Sequence, residues 1–225
     1  MEKKQRVLII DADHSLGAAL SKELTEAGHS VTTHARNAEP GIDISGTDIS
    51  SELSKWDAAY GPFERIVFGL QDGAEVAETP EDISRIQHEL SRTLGEIKAG
   101  VQILSRREDG QVWVLLQEDS MQYYLPVAAQ PMRSRALVGA IKSLAKEVFC
   151  FGVKLNALHV QPLAEQLDAA LWKDARAHLK AFAIKFKPQK SIDVAKFLRA
   201  LIELKGIPLA GMVLPVGIGY PENNV

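Results

Sequence analysis

The sequence predicts an α/β fold: a doubly wound parallel sheet with helices on both faces, in three layers. Short apolar, β-branched-rich runs alternate with stretches of helical apolar spacing along the whole chain. Several of the short runs are apolar at every position, as strands covered on both faces are. Parallel strands need crossovers, and the intervening helices supply them. No internal repeat, low-complexity stretch or linker breaks the pattern, so residues 1–225 are expected to form one domain with a sizeable core.

Residues 7–10 read as the first buried strand. Leu16, Leu20 and Leu24, with Ala19 and Ala27, then mark a helix that Gly28 closes. A strand is predicted over 29–34, a brief third one over 41–45, and a helix over 50–60. Residues 35–40 are too few for a helix between those strands. Residues 65–68 form another buried strand. From Pro80 a long helix runs to about Arg107, with Ile83, Ile86, Leu90, Leu94 and Ile97 along one face. Residues 112–116 give the strongest strand signal. Helix 134–149, strand 153–160, helix 192–204 and strand 211–216 follow.

Composition narrows the function. The chain is 46% hydrophobic and 24% charged, with a formal net charge of -3, which argues against a nucleic-acid binder or a polybasic membrane-surface protein. The apolar residues between Arg6 and Asp11 are too few for a signal-peptide core, and no run approaches the roughly 18 residues of a membrane span. Cys150 stands alone, which excludes an internal disulfide and a thiolate metal cluster. Asp11, Asp13 and Ser15 share the spacing of a calcium loop, but Leu16 and Lys22 stand where that loop needs glycine and glutamate. The histidines show no ligand spacing. The expectation is a cytoplasmic protein without membrane, metal or nucleic acid.

The carboxyl-terminal half carries a recognisable order of segments: Gly110-Gln-Val-Trp-Val-Leu, then Ala136-Leu-Val-Gly-Ala-Ile-Lys-Ser-Leu-Ala-Lys-Glu, then Val153-Lys-Leu-Asn-Ala-Leu, then Leu209-Ala-Gly-Met-Val-Leu-Pro-Val-Gly-Ile-Gly. With Gly17 entering the first helix and Arg36-Asn37 after the second strand, the chain resembles the short-chain dehydrogenase/reductases over nearly its whole length. The ketoacyl-reductase branch is the most similar. The resemblance implies a Rossmann-like sheet. It also implies chemistry resting on a tyrosine proton donor, a lysine four residues later, a substrate-orienting serine and an asparagine that completes a proton relay.

Each of those positions is changed. Alignment on the helix ending in Leu144-Ala-Lys-Glu puts Ser134 at the lysine, Gln130 at the tyrosine and Gln117 at the serine. Counting back from Gly110 puts Glu89 at the asparagine. No Tyr-x-x-x-Lys occurs, and neither Tyr123 nor Tyr124 has a lysine one turn later. A carboxamide has no proton to give near neutral pH, so the glutamines cannot act as general acids.

The family's glycine-rich fingerprint reads Ile10-Asp-Ala-Asp-His-Ser-Leu-Gly17, in which Gly17 alone survives. Asp11 takes a glycine's place, and Asp13 is expected to cap the following helix. A carboxylate beside a dinucleotide diphosphate is repulsive by about 1 to 4 kcal/mol at 4 Å. The family's Asn-Asn-Ala-Gly reads Gly69-Leu-Gln-Asp72, and its Pro-Gly reads Val160-Gln161. Arg36 and Asp43 remain where the family places an NADP phosphate contact and an adenine contact, as vestiges.

The expectation is therefore a protein of this fold that has lost hydride transfer and normal NAD(P) binding, with no catalytic tetrad and no cofactor. Helices 82–107 and 134–149, the usual oligomer surface of the resembled family, would pair it with itself or with an active reductase. Residues 172–190, rich in lysine and arginine with Trp172, Phe182 and Phe186 interleaved, are expected to form a solvated basic face or to dock an acidic partner such as a carrier protein. The alternative is an NADP(H)-dependent carbonyl or alcohol oxidoreductase using Tyr124 as acid and Arg36 on the phosphate. A small-molecule sensor is a third class.

Overall fold

The computed structural model describes residues 4–34, 49–70, 80–107, 109–118, 131–170, 172, 173, 176, 188–204 and 207–217. Its strands are β1 (Arg6–Ile10), β2 (Ser30–His34), β3 (Arg65–Phe68), β4 (Gln111–Gln117), β5 (Lys154–Val160) and β6 (Val213–Val216). Its helices are α1 (Ser15–Glu26), α2 (Ile49–Tyr60), α3 (Pro80–Leu104), α4 (Pro131–Val148) and α5 (Ser191–Glu203). The strands form one sheet in the order β2-β1-β3-β4-β5-β6, and every pairing is parallel. The brief strand expected over 41–45 lies outside the described residues.

Period-two alternation divides the strand side chains between two cores. Leu8, Ile10, Ile66, Phe68, Val112, Val114, Leu116, Leu155 and Ala157 pack with residues of α2, α3 and α4. Val7, Ile9, Val67, Trp113, Leu115, Leu158 and Val160 pack with residues of α1 and α5. Both sets are almost fully buried, which is why these strands carry no polar face. The result is a Rossmann-like three-layer α/β/α sandwich.

The ends of α1 show how local sequence sets the element. Ala27 is its C-cap, and Gly28 follows at φ +87°. The Gly28 amide donates to Thr25 O at 2.9 Å, and the His29 amide reaches back to Leu24 O at 3.0 Å. This paired return is the Schellman motif, whose left-handed residue favours glycine.

The amino edge of the sheet is tied by charge. Arg65, buried at the start of β3, donates to Asp109 O at 2.6 Å and to Asp109 Oδ2 at 3.2 Å. Lys154 at the start of β5 binds the other carboxylate oxygen of Asp109. Arg107 meets Asp57 at 2.6 Å, and Asp57 also accepts from the Phe63 amide at 2.8 Å. Burial lowers the Arg65 pKa, with Asp109 and Glu64 opposing. Partial burial raises the Asp109 pKa, but the Lys154 hydrogen bond and the Arg65 charge outweigh it and hold that carboxyl below its ordinary value.

Candidate functional site at the carboxyl edge of the sheet

β1 lies between β2 and β3, so chain order reverses there. In open α/β sheets that reversal leaves a crevice outside the carboxyl ends of the strands. Asp11 follows β1 in the left-handed region at φ 58° and is buried. Aspartate is among the few non-glycine residues that tolerate this conformation, so the turn of a glycine-rich loop survives without its glycine. Gly69 after β3 closes against it. Its amide donates to Ile10 O at 2.7 Å, and a Cβ there would lie 2.4 Å from Asp11 O.

The cap of α1 differs from expectation. His14, in extended backbone (φ -73°, ψ 148°), precedes the first helical residue, and its side chain accepts from the Leu16 amide at 3.4 Å. Asp13 stands one residue too early for that role and is exposed. Gly17 packs tightly on the loop, since a Cβ there would lie 2.7 Å from Ala12 Cα.

Next to this loop the β5–α5 connection crosses the edge. Gln166 donates from its side-chain amide to Gln117 Oε1 at 3.4 Å and lies 3.2 Å from His14 Nε2, which accepts from it only in the tautomer that releases the Leu16 amide, and its oxygen accepts from the Leu163 amide at 2.8 Å. Glu165 accepts from the Ser191 amide at 3.1 Å and from Ser191 Oγ at 3.0 Å, so a carboxylate caps α5. Ser191 Oγ also meets Ser15 Oγ at 2.9 Å, which links the amino ends of α5 and α1. One carboxamide and one carboxylate thus join α1, α5 and β4.

Gln117 ends β4 and donates from its side chain to Val160 O at 3.0 Å. Its backbone carbonyl faces Ser134 Oγ at 3.1 Å and His159 Nε2 at 3.2 Å, and those two atoms lie 3.0 Å apart. A carbonyl can only accept, so the arrangement is satisfied when both groups donate and Nε2 carries the imidazole proton. In that state the imidazole takes no proton from Ser134, and the pair is not an activated nucleophile.

Beside Ser134 lies a cavity of about 40 Å³, lined on its polar side by Thr93, Gln117, Arg133 and Ser134 and elsewhere by Phe68, Val114 and Leu137. Arg133 is buried and meets Glu89 Oε2 at 3.7 Å and Thr93 Oγ1 at 3.3 Å.

The structure therefore brings Gln117 and Ser134 into one hydrogen-bonded group and sets Glu89 beside them through Arg133. Gln130, Tyr123, Tyr124, Arg36 and Asp43 lie outside the described residues, as does most of 172–190. Of that segment, Lys173 and Arg176 are described and exposed. Sequence reasoning missed Arg133, His159 and Gln166. Arg133 did carry a signal, because a cation in the first turn of a helix opposes the helix dipole and needs a compensating partner. His159 and Gln166 carried none, since their partners lie 25 and 49 or more residues away. Among the described residues no His, Cys, Asp and Glu group could hold a metal, and no helix is long and apolar enough to cross a membrane.

No protein-family model matches the chain, and no curated protein matches it in sequence. Solved structures do match in fold. A short-chain oxidoreductase of Pseudomonas aeruginosa PAO1, described as containing an atypical catalytic center, is 18% identical with a TM-score of 0.77, covering 97% of both chains. The ligand-free aldohexose dehydrogenase of Thermoplasma acidophilum is 15% identical with a TM-score of 0.70 over 98% of both. ElxO with NADP bound is 15% identical with a TM-score of 0.71, covering 95% of this chain and 97% of its own. The chain has the fold of the short-chain dehydrogenase/reductases.

Proposed function

We infer that this chain uses a short-chain reductase fold without hydride transfer and without ordinary NAD(P) binding, as a non-catalytic structural or regulatory subunit. The placement of Gln166 between His14 and Gln117 carries the reading, because it sets the chain's own side chain between the α1 loop and the end of β4. A dinucleotide diphosphate fits this end poorly. Glu165 sets a carboxylate at the amino end of α5, and Asp13 adds one just ahead of α1, where a helix would otherwise attract an anion. Glu89, Gln117 and Ser134 offer no phenol and no lysine, and a glutamine cannot serve as general acid.

Such a subunit would work through its surface. Ile83 and Met132 on α3 and α4, and Phe149 and Phe151 just beyond α4, are large apolar side chains left exposed. They suit self-association or pairing with an active reductase. Lys173, Arg176 and Lys190 are described and exposed cations of a basic segment that would meet an acidic partner such as a carrier protein.

A second reading has its own support. The turn at Asp11 and the tight approach of Gly69 preserve the backbone of a nucleotide crevice, and a fold neighbour holds NADP. It makes the chain an NADP(H)-dependent oxidoreductase with rearranged residues.

The two readings part in one experiment. The purified protein is incubated with NADPH and a panel of carbonyl substrates, and its complexes are then recovered from cell extract and identified. The subunit reading expects no NADPH oxidation and a co-purifying reductase or carrier protein. Turnover with any carbonyl, or an oligomer that retains no partner and alters no reductase, rejects it.

A further inference from the structure

The seam between α1 and α5 ends, at the amino edge of the sheet, on a histidine with both ring nitrogens engaged. His29 follows Gly28 in the turn between α1 and β2, and its side chain is 6% exposed. Its Nδ1 accepts from the Gln5 amide, just ahead of β1, at 3.3 Å, and its Nε2 lies 3.0 Å from Glu203 Oε1 at the end of α5. An ionised carboxylate only accepts, so Nε2 carries the proton, and one neutral tautomer satisfies both contacts. Glu203 Oε1 also faces Arg199 Nε at 3.9 Å, and Arg199 Nη1 faces Glu23 Oε2 of α1 at 3.6 Å. Among the described residues the seam thus sets two carboxylates against one guanidinium. The other charged groups near the turn are exposed or engaged elsewhere. Lys22 and Glu26 pair with each other at 3.9 Å, Arg6 binds the Gly61 carbonyl, and Lys4 is exposed, its Cε 4.0 Å from where a Cβ on Gly28 would stand. Gln5 Oε1 is buried with no hydrogen-bond partner among the described residues.

We propose that His29 is a proton-operated switch on this seam, which fastens the start of β1 to the end of α5 when neutral and lets go of the Gln5 amide when protonated. The step follows from the valence of the ring. An imidazolium donates from both nitrogens, so a proton on Nδ1 sets a donor against the Gln5 N–H and that bond cannot persist. Nε2–H keeps Glu203 in a charge-assisted contact, and the seam then sets two cations against its two carboxylates. The proton on Nδ1 goes to Gln5 Oε1, the buried acceptor that neutral His29 leaves without a donor. Imidazole is the side chain whose charge ordinarily changes between about pH 5 and 8, which sets the range to be searched. α1 and α5 also meet at their amino ends, through Ser15 and Ser191, so the switch lies at one end of a seam whose other end borders the candidate site. It does not depend on whether that site takes a cofactor.

The test is nuclear magnetic resonance of the full chain between about pH 8 and pH 5. The ring nitrogens of His29 report its tautomer and charge, and hydrogen exchange, corrected for the intrinsic effect of pH, reports the Gln5 amide. The Ser30 amide donates to Gln5 O at 2.9 Å, a bond the proton leaves in place, and serves as the internal reference. At the alkaline end the proton sits on Nε2. As the ring charges, protection of the Gln5 amide relative to Ser30 falls by about tenfold, the worth of one hydrogen bond. In His29→Gln, which has no proton to gain, that ratio stays level across the range. The titration of the parent chain decides by itself if this variant does not fold. A proton found on Nδ1 at the alkaline end overturns the switch, as does a ring that stays neutral to the acid end. So does a Gln5 ratio that holds while the ring charges, or one that falls equally in His29→Gln.

Discussion

The two edges of the sheet are built from different chemistry. At the amino edge, Arg65, Asp109, Lys154, Asp57 and Arg107 tie β3, β5 and α2 together through ion pairs. At the carboxyl edge, Gln117, Ser134, His159 and Gln166 are joined by hydrogen bonds between groups that need carry no charge. The fold places function at the carboxyl ends of its strands. A catalytic edge would keep a titratable acid exposed to substrate. Among the described residues, this one pairs its polar groups with one another and holds Arg133, with Glu89 and Thr93, beside a small cavity. The contrast separates an edge held by ion pairs from an edge whose described polar groups are joined by hydrogen bonds.

Substitutions at the two edges sharpen the contrast. The largest effect is expected from Phe68→Ala, which removes a ring that is 1% exposed between the core and the cavity. It lowers stability by about 3–5 kcal/mol in a denaturant melt. A loss below about 1 kcal/mol contradicts close packing at this edge.

At the opposite edge, Asp109→Ala leaves the buried Arg65 without its carboxylate and lowers stability by about 2–3 kcal/mol. Asp109→Asn costs less, because asparagine tolerates the φ of 61° at this position and keeps an acceptor.

Gln166→Ala is expected to cost about 1–2 kcal/mol, since it removes side-chain hydrogen bonds to Gln117 and Leu163. Unchanged stability indicates that water replaces the bridge.

The smallest effect is in pH. The folded Asp109 carboxyl is more acidic than its ordinary 3.8, so its contribution is fully present above about pH 5 and lost as pH falls through the folded value. Acid titration of Asp109→Asn against the parent therefore shows a shallower loss of stability below pH 3.8, and equal slopes contradict the assignment.

Much of the fold was legible because it rests on local repetition. The apolar runs at 7–10, 65–68 and 112–116 fall within β1, β3 and β4, and Leu16, Leu20 and Leu24 mark the buried face of α1. Boundaries moved by a few residues: α3 ends at Leu104 rather than about Arg107, and α4 begins at Pro131 rather than Ser134. The site was less legible. Gln117 and Ser134 could be placed near each other through a family resemblance, and they meet. The cap went to His14 because a left-handed turn at Asp11 leaves His14, not Asp13, in extended backbone ahead of the helix. His159 and Gln166 escaped notice because they act through residues distant in sequence, and Arg133 because its one signal, a cation in the first turn of a helix, does not say which partner answers it.

On the proposed reading this edge does not take a dinucleotide. Titrating NADPH and NADH against the purified protein, by cofactor fluorescence and by melting temperature, tests it most directly. That reading expects no saturable binding and no thermal shift up to about 1 mM cofactor. Saturable binding at micromolar concentration contradicts the claim and returns the chain to the oxidoreductases.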